Sequence, residues 1–263
     1  MTMPFMQRAL LEAILVGALA GIVGVHVVLR QLPFFSLTIA HGTFPGVVLA
    51  EIAGISLFLG GVGAAVVITI VVFAAGRDRR FDTSVVTGIA LSATFALGVL
   101  LLSTRDGSAK NLSAFLVGSI LTVDRSDVWV TAIVGIGILG VLGALHKEFV
   151  FGAFDPGGAK AAGYPRRLDL LLMLLVAMTV VVSLPVVGTI LAVTLIAVPA
   201  LTARLWADRI ATTALLAAIF GAGAGVVGLT ASAQWNVAAG GAIAVAATGF
   251  FGISLLIAPH RTT

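Results

Sequence analysis

The chain has 263 residues, 60% of them hydrophobic and 10% charged, with a mean hydropathy of +1.18. Soluble domains carry about 25% charged residues, so these values exclude a water-soluble globular fold and indicate an all-α, polytopic helical membrane protein. Cysteine is absent, which rules out disulfides and thiolate metal sites, and the pI near 10.3 reads as orientation in a bilayer rather than nucleic-acid binding.

Apolar runs predict nine spans, over roughly 10–29, 37–54, 56–75, 83–103, 127–146, 168–184, 186–205, 209–231 and 237–258. Arg8 and Ala18-Leu19-Ala20 imitate a secretion signal, but Glu12 interrupts the run and the run continues to Leu29. A retained first helix is therefore expected, with Glu12 paired to Arg8 across one turn. His26, one turn before Arg30, is expected at a membrane interface, as is His146 beside Lys147. The spacing of Gly17/Gly21 and Gly221/Gly225 predicts close helix contact inside the molecule.

The second span, within Phe34–Gly54, carries His41, Pro45 and Glu51. Ionisable groups at membrane depth are expensive and mark functional sites by default. The span is short and contains Gly42, Pro45 and Gly46, so a broken or partly re-entrant helix is expected, with the break at Pro45. Glu51 lies ten residues after His41, about 15 Å along an unbroken helix and about 80° around it. Only such a break would bring the two together. Thr38 adds a neutral hydroxyl on the His41 face. Three roles for His41 stand open: a weak ligand in a metal path, a structural group bonded to a carbonyl freed by Pro45, or a contact for a metal chelate.

With the N-terminus outside, eleven basic residues face inward: Arg30, Arg77, Arg79, Arg80, Lys147, Lys160, Arg166, Arg167, Arg204, Arg209 and Arg261. Four (Arg8, Arg105, Lys110, Arg125) face outward. This bias places the C-terminus in the cytoplasm. The segment from Leu112 to Leu121 is too short to span and is expected to form a shallow outer helix. The sequence contains no internal repeat, so residues 1–263 form one transmembrane domain with a cytoplasmic loop at about 147–167. In that loop Asp155 can cap a helix, Pro156 suits its first position, and Gly163 before Pro165 ends it. The flanking Phe149, Phe151, Phe154 and Tyr164 suit either a protein interface or an amphipathic loop on the membrane.

FDPGGAKAAGYPRRLDLLL (154–172) resembles the coupling-helix region of permeases in the zinc/manganese/iron-type ABC importers. Phe154, Asp155, Ala159, Ala161, Gly163, Pro165, Leu168 and Asp169 fit its pattern. VVGTILAVTLIAVPALTARLWADR (186–209) is similar to a later motif of the same family, with Gly188, Pro199, Thr202 and Arg204 in place, and residues 4–17 resemble its opening. The resemblance implies a permease that works as a dimer, docks two copies of a separate ATPase, and receives Zn²⁺ or Mn²⁺ from an extracytoplasmic binding protein. Phe154, Asp155, Pro156, Gly158, Ala159, Ala161 and Gly163 would form the ATPase-docking element. Independently, the chain lacks a G-x-x-x-x-G-K-[ST] loop, so it holds no nucleotide-cradling motif of that kind and is not expected to be an enzyme.

In the second span the family reads G-D-A-x-S-H-x-x-x-P-G. His41, Pro45 and Gly46 align, but Leu37 stands where the family carries Asp. The resemblance implies a substrate path through His41, Pro45 and Gly46, with His41 as metal ligand; Thr38 and Glu51 join it as candidates on their position alone. The missing carboxylate keeps a chelate substrate open beside a bare ion. An ion-coupled secondary transporter is the rival class, but it needs intramembrane acids and leaves the 146–169 loop without a role.

Overall fold

The computed structural model describes residues 4–76, 82–104 and 123–258, and all regular structure among them is helical. The elements are α1 (Pro4–Leu29), α2 (Pro33–Gly42), α3 (Phe44–Ala53), α4 (Leu57–Ala75), α5 (Thr83–Ser103), α6 (Arg125–Ala144), α7 (His146–Phe154), α8 (Pro156–Ala161), α9 (Arg167–Arg204), α10 (Ile210–Trp235) and α11 (Ala239–Ile257). They supply nine segments long and apolar enough to cross a membrane among the described residues, as the apolar runs predict. The expected shallow helix at Leu112–Leu121 and basic residues 77–80, 105, 110 and 261 lie outside the described residues.

α1 is the hub of the bundle, lying against both α9 and α10. Hydrocarbon supplies no hydrophobic force between helices, so close backbone approach has to hold them. A Cβ at Gly17 would overlap the Gly221 carbonyl, one at Gly21 the Ala217 carbonyl, and one at Gly225 would lie 2.8 Å from the Ala13 oxygen. The four-residue glycine spacings thus serve packing within one chain.

α9 holds two spans, Arg167–Pro185 and Val187–Arg204, joined at Gly188 (φ 76°, ψ 171°). Asp169 in the first leg hydrogen-bonds Arg30, and Ile196 in the second leg offers its carbonyl to the surface of Gly24. These anchors lie six residues apart near the end of α1, about 9 Å, whereas an unbroken helix would separate Asp169 and Ile196 by about 40 Å. The chain therefore doubles back at Gly188, where the left-handed φ favours glycine.

The second span differs from expectation in two respects. It runs Pro33–Ala53, 21 residues in two helices, so it is broken as expected but long enough to cross a membrane rather than short. Pro33 starts the helix early, as proline does at a first helical position. The interruption falls at Thr43 rather than Pro45, and Thr43 keeps near-helical dihedrals (φ −71°, ψ −16°). Pro45 sits in the first turn of α3, where its missing N–H costs little.

Arg30, α7, α8, Arg166 and Arg204 gather at one end of the bundle, while Arg8 pairs with Asp124 at the other (3.8 Å). The described basic residues thus segregate as the charge bias predicts. Gly221→Leu should lower stability by about 1–3 kcal/mol through overpacking. Gly137→Leu, facing open space, should leave the thermal midpoint in detergent unchanged. Equal midpoints for the two variants would refute the close α1–α10 contact.

Candidate substrate path and docking face

His41 is half-buried near the end of α2. Its Nδ1 lies 3.2 Å from the Leu37 carbonyl, and its ring meets Phe95 edge-on at 6.1 Å. The carbonyl that Pro45 deprives of a partner is that of His41 itself, and a capping backbone N–H takes it. The histidine ring therefore does not satisfy a carbonyl freed by Pro45. With Nδ1 held by its own preceding turn, Nε2 is the nitrogen left for another partner.

Thr38 is fully buried, and its hydroxyl donates to the carbonyls of Phe34 (3.0 Å) and Thr87 (3.1 Å). It fastens α2 to α5 instead of offering an oxygen beside His41. Gly46 lies against Gly60 so closely that a Cβ on either would overlap the other's carbonyl. Glu51 is exposed on α3. Because Thr43 stays nearly helical, the ten residues between His41 and Glu51 still span about 15 Å, and the two are not brought together. Among the described residues no three His, Asp or Glu side chains form a metal-holding group.

The docking element follows its local signals. Asp155 accepts from the Gly158 amide (2.7 Å), Pro156 opens α8, and Tyr164 N–H donates to Ala159 O (3.0 Å) while Gly163 (φ 83°) donates to Lys160 O (3.2 Å). Those last two bonds form the paired closure that glycine permits at a helix end. Phe154 is 66% exposed and Ala161 is exposed, whereas Ala159 is buried against the body of the protein. Phe151 and Tyr164 stack edge-on at 5.9 Å.

Several features are not foreshadowed by the sequence. Residues 146–154 form a helix of their own, α7, so the loop contains two helices. Phe149 belongs to the core rather than to an exposed aromatic rim, and is fully buried beside His26 (ring centroids 6.1 Å). His146 likewise meets His26 edge-on at 6.3 Å. Glu12 does not pair with Arg8: it is fully buried and accepts from the Thr131 hydroxyl (2.5 Å), while Arg8 reaches Asp124.

The description of the ABC 3 transport family matches residues 2–258. The chain belongs to that family. Among its relatives, the manganese transport system membrane protein MntC of Halalkalibacterium halodurans is 33% identical over 258 residues, covering 98% of this chain and 88% of that one. The manganese import system permease protein ScaB of Streptococcus gordonii is 36% identical over 98% of this chain and 92% of its own length. The solved structure of PsaBC from Streptococcus pneumoniae in complex with Fab has a TM-score of 0.89 at 35% identity, covering 99% of this chain and 94% of that one. This ABC 3 chain is accordingly a multi-pass membrane permease, a transport component.

Replacing Asp155 by Ala removes the α8 cap and should cost about 1 kcal/mol. Amide exchange at Gly158 should then accelerate; unchanged exchange would show that the cap does not hold this helix.

Proposed function

We propose that the chain is the permease subunit of an ATP-driven importer for a divalent metal ion, with manganese as its substrate. The observation that carries this reading is α8, a capped six-residue helix presented with Phe154 and Ala161 exposed at the basic end of the bundle. Such a helix gives a separate ATPase a rigid handle. Manganese is favoured by the MntC and ScaB relatives, which are 33% and 36% identical over nearly the whole chain.

In this reading the N-terminus and Arg8 face outside, and Arg30, α7, α8 and Arg204 face the cytoplasm, as the distribution of positive charge favours. Two permease copies and two ATPase copies form the working unit, and an extracytoplasmic binding protein delivers the ion. His41 offers Nε2 along the path, and the close contact of Gly46 with Gly60 holds α3 on α4 beside it. Leu37 in place of a carboxylate leaves a weak site. A weak site suits transport, because a tight one would not release its ion. Glu51, 15 Å or so further along, serves as a separate step rather than a co-ligand.

His41→Ala at wild-type protein levels should cut manganese uptake by about tenfold, the size expected when a ligand worth about 1.4 kcal/mol is lost. Unchanged uptake would remove His41 from the path. Ala161→Arg, which places a bulky charge on the exposed face of α8, should abolish co-purification of the ATPase. Normal co-purification would exclude α8 as the docking element.

A further inference from the structure

Arg30 occupies the short turn between α1 and α2, three residues before α2 begins at Pro33. Its Nη1 donates to Asp169 Oδ1 at the base of α9 (2.8 Å), and its Nη2 donates to the Phe149 carbonyl in α7 (3.2 Å). The side chain is only 17% exposed. Gly152 of α7 closes over the guanidinium, where a Cβ would stand 2.7 Å from Nη2. The turn that carries Arg30 is itself fixed, with Leu32 N–H bonded to the Val27 carbonyl (2.8 Å).

One planar fork therefore holds three elements: the docking region through α7, the doubled-back hairpin α9, and the turn that launches α2 with His41. A guanidinium places its donors in fixed relative directions, so displacement of α7 must pull on both other partners or break charge-assisted bonds. Membrane-side anchoring alone requires only a positive charge near the interface; it requires neither the backbone contact to Phe149 nor the glycine that admits it.

We propose that Arg30 is the positioning residue that transmits motion of the ATPase-docking helices to α2 and α9, and so couples ATP hydrolysis to movement of the substrate path. This rests on the reading of α8 as the docking element. Arg30 touches neither substrate nor ATPase; its role is to keep α7, α9 and α2 moving as one body. α8 follows α7 with only the non-helical Asp155 (φ −135°, ψ 81°) between them, and Tyr164, just past the end of α8, packs on Phe151 of α7 (5.9 Å), so a push on α8 reaches the Phe149–Gly152 face of α7 through this contact and the short link.

The test uses the full permease reconstituted in proteoliposomes with its ATPase and binding protein, and measures manganese imported per ATP hydrolysed together with ATPase retained on the permease. Arg30→Gln and Arg30→Lys should retain the ATPase and hydrolyse ATP, while ions moved per ATP fall about fivefold, within the range by which coupling residues act. Gly152→Val leaves both charged partners in place but displaces the guanidinium, and should lower the same ratio. That variant also carries the test if the Arg30 variants fail to accumulate. A wild-type ratio in Gly152→Val, or in an accumulated Arg30→Gln, overturns the proposal. Loss of ATPase retention in Ala161→Arg with a normal ratio in the Arg30 and Gly152 variants would refute the strut alone. Retention in Ala161→Arg would refute the docking reading beneath it.

Discussion

Backbone-to-backbone contact between α1 and its neighbours is the constraint from which the rest of the bundle follows. Lipid is as apolar as leucine, so apolar side chains alone give helices no reason to associate. At Gly17, Gly21 and Gly24 the α1 surface is bare enough for carbonyls of α10 and α9 to rest on it. Larger residues there would push the helices apart and remove the dispersion contacts that depend on close approach. With α1 held this way on two sides, the Gly188 reversal brings both legs of α9 back to the same end of the molecule.

That shared end is where polar chemistry collects. Arg30, Asp169 and the Phe149 carbonyl join there, and α7 and α8 project from it. Elsewhere the membrane core tolerates few polar groups, and most hydroxyls return their hydrogen to a carbonyl of their own helix. Thr69 donates to Ala65, Thr179 to Leu175, Ser183 to Thr179 and Thr202 to Val198. These bonds satisfy the hydroxyl locally and leave little for a substrate. His41 differs because one ring nitrogen is held by Leu37 and the ring is only half-buried.

What was legible in the sequence followed the range of its signals. Spans were readable because about twenty apolar residues are needed to cross hydrocarbon. The α8 helix was readable because Asp155, Pro156 and Gly163 act within a turn of where they stand. Proline as a helix breaker points to an interruption at Pro45, two residues late, because in a first helical turn its missing N–H costs little. Arg30–Asp169 and Glu12–Thr131 join residues 139 and 119 positions apart, and no local pattern announces such pairs. Local spacing points Glu12 to Arg8 for that reason: the nearby partner shows in the sequence and the distant one does not. The α7 helix went unseen because its nine residues are too few to show an unambiguous helical period. At the candidate path, His41 was found by its type and setting, but the burial of Thr38 against Thr87 depended on a helix 49 residues away.

In the proposed mechanism, ATP hydrolysis by a docked partner drives a divalent ion through this chain. The most direct test is uptake of radiolabelled manganese into proteoliposomes containing the permease, its ATPase and its binding protein. Uptake should require ATP on the α8 side of the membrane and be abolished without the ATPase. Uptake by the permease alone, driven by a proton or sodium gradient, would contradict it.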